Sequence, residues 1–474
     1  RGVEELAAAK RIAVAGWFLV SVLPTGEAFE PIVALQARLR DYAAAHPQGP
    51  IYGRGWIETH WPERRFPGAA DLDAVVADRP VLLERVDGHA AVANTTALNL
   101  AGVTNSTPNP DGGRIERAGD GQATGMLIDR AAELVQSRFP APSAQARREA
   151  MAAAVKLYAA RGWTGAGNMS TSLEEAQILQ DLAVNGDLPL AVDVYLTPED
   201  SPAVYERGPY ADASGLVNVR GVKLYMDGAL GSRGAALLAP YSDAPSSGLL
   251  VTPVETVREF LARARARGVQ VATHAIGDRG NRLVLDAYRD TFADDAPALR
   301  AARWRIEHAQ VIAPADIPRF AAMGVIASMQ PSHAISDLHF APARLGGARL
   351  AGAYAWRSLG ESGAVLAAGS DAPVEKGDPL IEFYAAAVRR DLSGFADAEW
   401  RAEEALSRAD ALKMLTWGPA YASFQEGDRG VLEAGKRADV SVFSADLMSA
   451  PPEAIPQAKP LLTISGGRVT HDAR

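Results

Sequence analysis

The 474-residue chain contains no cysteine, so disulfides and thiolate metal ligands are excluded. Histidine, carboxylate and modified lysine are the metal chemistry that remains, and a reducing cytoplasm is the expected location. An excess of positive charge is lacking too: 48 Lys and Arg stand against 57 Asp and Glu, a net charge of −9. That balance argues against nucleic acid and anionic membranes as partners and leaves a small organic substrate. The apolar run IAVAGWFLVSVL, 12 residues long, is too short to span a bilayer. Its length and the preceding Lys10 and Arg11 suit a signal-peptide core, but Glu4 and Glu5 do not, and a buried strand is the better reading. The chain opens at Arg1 rather than Met, so its start is expected to be processed or trimmed. Histidine is scarce, 8 in all, and none precedes His46.

Against these absences, a hydrophobic content of 48% gives an ordinary globular core, enough for one large barrel and a smaller module. The stretch GVQVATHAIGD places His274 at the end of an apolar run that reads as a buried strand. In α/β folds the carboxyl ends of strands carry the chemistry. Alone, His274 reads as readily as a hydrogen-bonded core residue. Repetition shifts the balance: RWRIEHAQVI ends in Glu307 and His308, AVLAAGSDAPV ends in Ser370 and Asp371, and GVKLYM carries Lys223. From His274 to His308 is 34 residues, close to one strand-helix unit of an eightfold barrel. From His308 to Asp371 is 63, about two units, with GVIASMQP as the strand between. The spacing therefore predicts a TIM-type (β/α)8 barrel with Lys223, His274, His308 and Asp371 converging at its mouth. Two imidazoles, a carboxylate and a lysine there point to a divalent metal, zinc by donor type.

Elsewhere the chain alternates helix and strand. Val33, Leu35, Leu39 and Tyr42 mark a helix before His46, and Gly53 to Trp56 reads as a strand end at the mouth or as a simple turn. ADLDAVVADRPVLLERVDGHAAVANTTALNLAGV reads as helix, strand, turn and helix, with Asp87 and His89 in the turn. His89 is a substrate contact or a hydrogen bond that shapes the loop. NSTPNPDGGRIERAGDGQATG is a surface loop with a hairpin-like turn. SAQARREAMAAAVKLYAARGW is a helix ending near Gly162, and GWTGAGNMS and LPLAVDVYLT are strands flanking a helix capped by Ser172, Glu174 and Glu175. DGALGSRGA lacks the Gly-Lys-Ser/Thr ending of a phosphate loop and reads as a substrate-shaping loop. His333 binds substrate or supports a neighbour; Asp337 and His339 are loop polar groups, and His60 and His471 are solvated. Ala438 to Phe443 and LLTISGGRVT alternate as half-buried strands.

Several stretches carry a family resemblance: YGRGW, RPVLLERVDGHAAVANTTAL, GVKLYMDGALGSRGAALLAPYSD, THAIGDR, RIEHAQ, GVIASMQPSHAISD, AAGSDAPVE and LEAGKRADV. The chain resembles the amidohydrolase superfamily, and within it amidohydrolase family 3, which includes N-substituted formamide deformylase. The resemblance implies a metal-dependent hydrolase cleaving a C–N bond in an amide, formamide or cyclic amide. It implies Lys223, His274 and His308 as metal ligands with Lys223 carboxylated, and Asp371 as ligand and base. A buried Lys223–Asp227 salt bridge is the alternative for the lysine. Trp56, Asp87, His89, Arg233 and His333 form the expected substrate-binding set. The family's first barrel strand ends in His-x-His, which these residues lack, so one ion is expected here where intact relatives hold two. The alternative function is a catalytically impaired barrel that binds a small ligand or regulates. The expected domains are a residual sandwich and first-strand region at 1–22, a distorted barrel at 23–425 with an inserted module at about 60–130, and sandwich strands at 426–474. A shortened sandwich edge is open to a second copy, so a homodimer is expected.

Overall fold

The computed structural model describes residues 32–63, 65–396 and 400–474, apart from the His60 side chain. The first-strand and sandwich expectations for 1–22, and the solvated reading of His60, lie outside the described residues. The chain divides into two compact units, Arg1–Ala150 and Met151–Arg474.

In the first unit, the helix Ile32–Ala45 forms where apolar spacing placed it and buries Ile32 and Leu39. Val33, expected on the same face, is 68% exposed. Five strands follow: β1 (Ile51–Trp56), β2 (Val81–Arg85), β3 (Ala90–Ala93), β4 (Gly113–Arg117) and β5 (Ala123–Asp129). They make one sheet in the order β1-β2-β3-β5-β4, with β1 and β2 parallel and the other pairs antiparallel. The sequence reading missed β3, passing from turn to helix; the short run AAVA is drawn into the sheet by pairing on both sides. The helix Thr95–Ala101 does follow, capped by Asn94, whose Oδ1 accepts the Ala97 N–H at 2.9 Å. The β4–β5 hairpin falls in the predicted loop. Leu82, Ile115, Leu127, Val135 and Phe139 pack as its core.

The second unit is built on parallel strands, four of them buried along their whole length. These are β6 (Gly165–Thr171), β7 (Ala191–Leu196), β9 (Val217–Tyr225), β10 (Gln270–Ala275), β11 (Arg305–His308), β12 (Ile326–Met329) and β13 (Leu366–Ala368), with the short β8 (Tyr210–Ala211) antiparallel to β9. Spatial order follows chain order, β6-β7-β9-β10-β11-β12-β13, and the sheet curls into a half-barrel. Among the described residues the sheet has seven parallel strands, where the spacing led us to expect a ring of eight. The helices between them form as their sequences dictate. Val254–Ala266 buries Val257, Leu261 and Ala264 along one stripe and carries Glu255 in its first turn and Arg263 and Arg265 in its last, matching the helix dipole. Leu173–Val184 opens on a reciprocal capping box: Ser172 Oγ accepts the Glu175 N–H at 3.2 Å, and Glu175 Oε2 accepts the Ser172 N–H at 2.9 Å.

Inside the curl lies a buried polar layer. Tyr195 donates to Gln270 Oε1 at 2.8 Å, and Arg305 pairs with Glu307, both bonded to Ser328 Oγ at 2.7 Å. Burial works against the Arg305 charge, but Glu307 and Tyr195 more than offset it and raise its pKa. Satisfied networks of this kind hold strands in one register. β14 (Val440–Phe443), β15 (Pro460–Ser465) and β16 (Arg468–Asp472) form a single three-stranded antiparallel sheet in the region where sandwich strands were expected. No helix among the described residues is long and apolar enough to cross a membrane.

Candidate metal centre

Parallel pairing brings the chemistry-bearing residues of the second unit to one end of the sheet. His274 on β10 is paired with Tyr225 on β9 and Glu307 on β11, and Ala275 is paired with His308. The rings consequently form a row: Tyr225 and His274 lie 5.4 Å apart between centroids, His274 and His308 4.5 Å, and His308 and His333 5.7 Å. β12 and β13 deliver the last two members just past their carboxyl ends, His333 on the helix Pro331–Asp337 and Asp371 in the loop after β13.

His308, His333 and Asp371 each offer a ligand atom, and these atoms all lie within 4.8 Å of one another. His333 Nε2 stands 3.7 Å from Asp371 Oδ2. Two imidazoles and a carboxylate grouped in this way could hold a metal ion, and the Asp371 side chain is 38% exposed. Nδ1 of His308 lies 2.7 Å from Gln330 Oε1, a contact that orients the ring. His308 and Asp371 both adopt left-handed backbone, φ 74° and 52°, conformations that cost free energy in a non-glycine residue and concentrate at functional sites.

The sequence grouped Lys223 and His274 with His308 and Asp371 and put His333 among substrate contacts; the three-atom cluster contains His333. His274 is buried next to it, with Nε2 3.7 Å from Asp227 Oδ1 and 3.5 Å from Gly228 O. Asp227 organises this wall, accepting the N–H groups of Ala236 at 2.8 Å, Ile276 at 2.9 Å and Gly277 at 2.8 Å. A Cβ at Gly280 would stand 2.5 Å from Asp227 Oδ2, so only glycine lets the carboxylate in. Lys223 is 3% exposed, its Nζ 3.9 Å from the centre of the Tyr225 ring. Tyr225 in turn shares a 2.5 Å hydrogen bond with Ser170.

The remaining expected substrate contacts have structural partners. Arg233 binds Asp243 through two nitrogens, at 3.1 and 2.8 Å. Burial works against the Asp243 carboxylate, yet Arg233 and Arg344 hold its pKa below the usual range. Trp56, Asp87 and His89 belong to the first unit. Trp56 Nε1 donates to Leu83 O at 2.8 Å and its ring packs near Trp61 and Phe66. Asp87 pairs with Arg85 and accepts the His89 N–H at 3.2 Å, while His89 Nδ1 lies 2.6 Å from Asp129 Oδ1. Asp337, expected in a loop, ends the helix Pro331–Asp337 and accepts from Gln310 Nε2 and Tyr354 OH, while His339 lies in the turn that follows and pairs with Asp391 at 3.1 Å.

Sequence reasoning passed over two acids beside the cluster, the half-buried Glu375 and the buried Glu382. Burial pushes the Glu375 carboxyl up to about 7, against a lowering hydrogen bond from Ser336. Burial likewise pushes Glu382 well above the ordinary carboxylate range. A signal was present for Glu382, a lone acid in the apolar helix PLIEFYAAAV.

The sequence profile of the amidohydrolase family matches residues 21–471. YtcJ of Bacillus subtilis (strain 168) is 32% identical over 435 residues, covering 89% of this chain and 80% of its own. N-substituted formamide deformylase of Arthrobacter pascens is 27% identical over 416 residues, covering 84% of this chain and 74% of its own. Among solved structures, an uncharacterized metal-dependent hydrolase from Pyrococcus horikoshii superposes with a TM-score of 0.69 at 28% identity, over 92% of this chain and 86% of its own. The chain therefore belongs to amidohydrolase family 3.

Proposed function

We propose that this chain is a metal-dependent hydrolase of a C–N bond in a small amide, formamide or cyclic amide. The reading is carried by one observation: His308, His333 and Asp371 bring ligand atoms within 4.8 Å of one another at the carboxyl end of a parallel sheet. These three residues would hold one divalent cation, zinc by donor type, with His274 and Lys223 as further donors on the adjoining wall; carboxylation of Lys223 would make that donor anionic. When bound, such a cation supplies Lewis acidity and lowers the pKa of water toward neutrality. The Asp371 carboxylate accepts the proton of the attacking water as the C–O bond forms, and delivers it to the leaving nitrogen as the C–N bond breaks. A small organic substrate, rather than nucleic acid, is in keeping with the net charge of −9.

Zinc-loaded protein assayed on a panel of N-formyl amines, simple amides and cyclic amides tests the proposal. Turnover should appear, and Asp371→Asn should cut kcat by about 100- to 10,000-fold. A second reading follows from the residues at hand, among which no histidine precedes His46 to match the family's first-strand pair. On that reading the chain binds an amide ligand without turning it over. Zinc-loaded protein that binds an amide of the panel in calorimetry but releases no product would select it.

A further inference from the structure

Two carboxyl groups outside the proposed centre tie its parts together. The helix that carries His333, Pro331–Asp337, begins without a side-chain cap of its own. The Ser332 N–H is one of the donors that a first helical turn leaves without an intrahelical partner. Glu382 Oε2 accepts it at 2.9 Å, from a different helix, Pro379–Val388. One turn further along, Ser336 Oγ donates to Glu375 Oε1 at 2.6 Å. Both acids belong to the segment that follows β13, the same segment that carries Asp371. That segment starts fastened to β12, where the Gly369 N–H donates to Met329 O at 3.1 Å. His333 meets Asp371 between these points of attachment. Burying a carboxyl group is costly, and Glu382 is 1% exposed among apolar neighbours where a leucine would pack at less expense in free energy. Glu382 must therefore do something that an apolar side chain cannot, and both acids make the same kind of contact, to the His333 helix.

We propose that Glu375 and Glu382 are positioning residues that draw the His333 helix onto the Asp371 segment and so set the separation at which His333 and Asp371 meet a divalent cation. The inference rests on the metal-centre reading above.

Its test is zinc affinity, measured by competition with a chromophoric chelator, together with the visible spectrum of the cobalt-loaded protein. Glu375→Ala and Glu382→Leu should each weaken zinc binding about 10- to 100-fold and change the cobalt spectrum, as loss of outer supporting groups does at other metal sites. Glu375→Gln and Glu382→Gln keep an acceptor oxygen and should bind zinc nearly as the parent does. Should the first pair not fold, Ser336→Ala removes the Glu375 contact from the other side and should weaken zinc binding in the same direction. Unchanged affinity in folded Ala, Leu and Ser336 variants of a zinc-binding parent overturns the inference and leaves the metal centre standing. So does an affinity loss that the Gln variants share in full. A parent protein that binds no zinc overturns the metal-centre reading, and this inference with it.

Discussion

Glu375 shows how one half-buried side chain sets a property that can be measured without substrate. Its carboxyl is pushed up to about 7 by burial and faces Asp337, Asp371 and Lys376 as well as the Ser336 hydroxyl. In the unfolded chain a glutamate releases its proton near 4.3. Between these values the folded state holds a proton that the unfolded state has lost, so the contribution of Glu375 to stability is present at low pH and falls as pH rises toward about 7. Glu375→Gln cannot ionise. Relative to the parent, the variant should gain on the order of 2 kcal/mol between about pH 5 and pH 8. Urea unfolding of both proteins, metal-free, at the two pH values measures this; a difference that stays constant with pH contradicts it. The second residue-scale prediction concerns Gly280, where an added methyl would press on Asp227 Oδ2 at 2.5 Å. Gly280→Ala should cost about 1–3 kcal/mol, the usual result of overpacking a close-fitted site, read as a lower urea midpoint.

At the scale of elements, Ser172 tests whether the helices of the half-barrel are held by the local rules that make them legible. Its side chain caps Leu173–Val184, and Ser172→Ala should lower stability by about 1 kcal/mol in equilibrium unfolding, whereas Ser172→Asp should change it little. The strands bearing Lys223, His274 and His308 were legible from the mainly apolar stretches GVKLYM, GVQVATHAIGD and RWRIEHAQVI, although the strands themselves also carry the buried Gln270, Arg305 and Glu307. β3 was not, because four small residues after a turn carry no strand signature until β2 and β5 pair with them. The exposure of Val33 was equally hidden, since the helix Ile32–Ala45 has weakly separated faces and its orientation is settled by what Ile32 and Leu39 pack against. His333, expected among the substrate contacts, is carried by a helix following β12, and strand-end counting has no way to measure how close that helix comes to Asp371. The grips by Glu375 and Glu382 join residues distant in sequence through one hydrogen bond each, and no periodicity announces such a contact.

For the whole molecule, one cation would be the point at which separate strands and loops of the second unit are joined. Metal binding should then be linked to folding. At a free zinc concentration about 100 times the dissociation constant, stability should rise by about 2.7 kcal/mol, seen as a higher Tm that a chelator reverses. The central claim itself is a position. Anomalous diffraction at the zinc edge from crystals of the zinc-loaded protein locates the ion directly. The account predicts a peak at about 2.0–2.2 Å from His308, His333 and Asp371 together; a zinc-loaded crystal with no peak among those three side chains would contradict it.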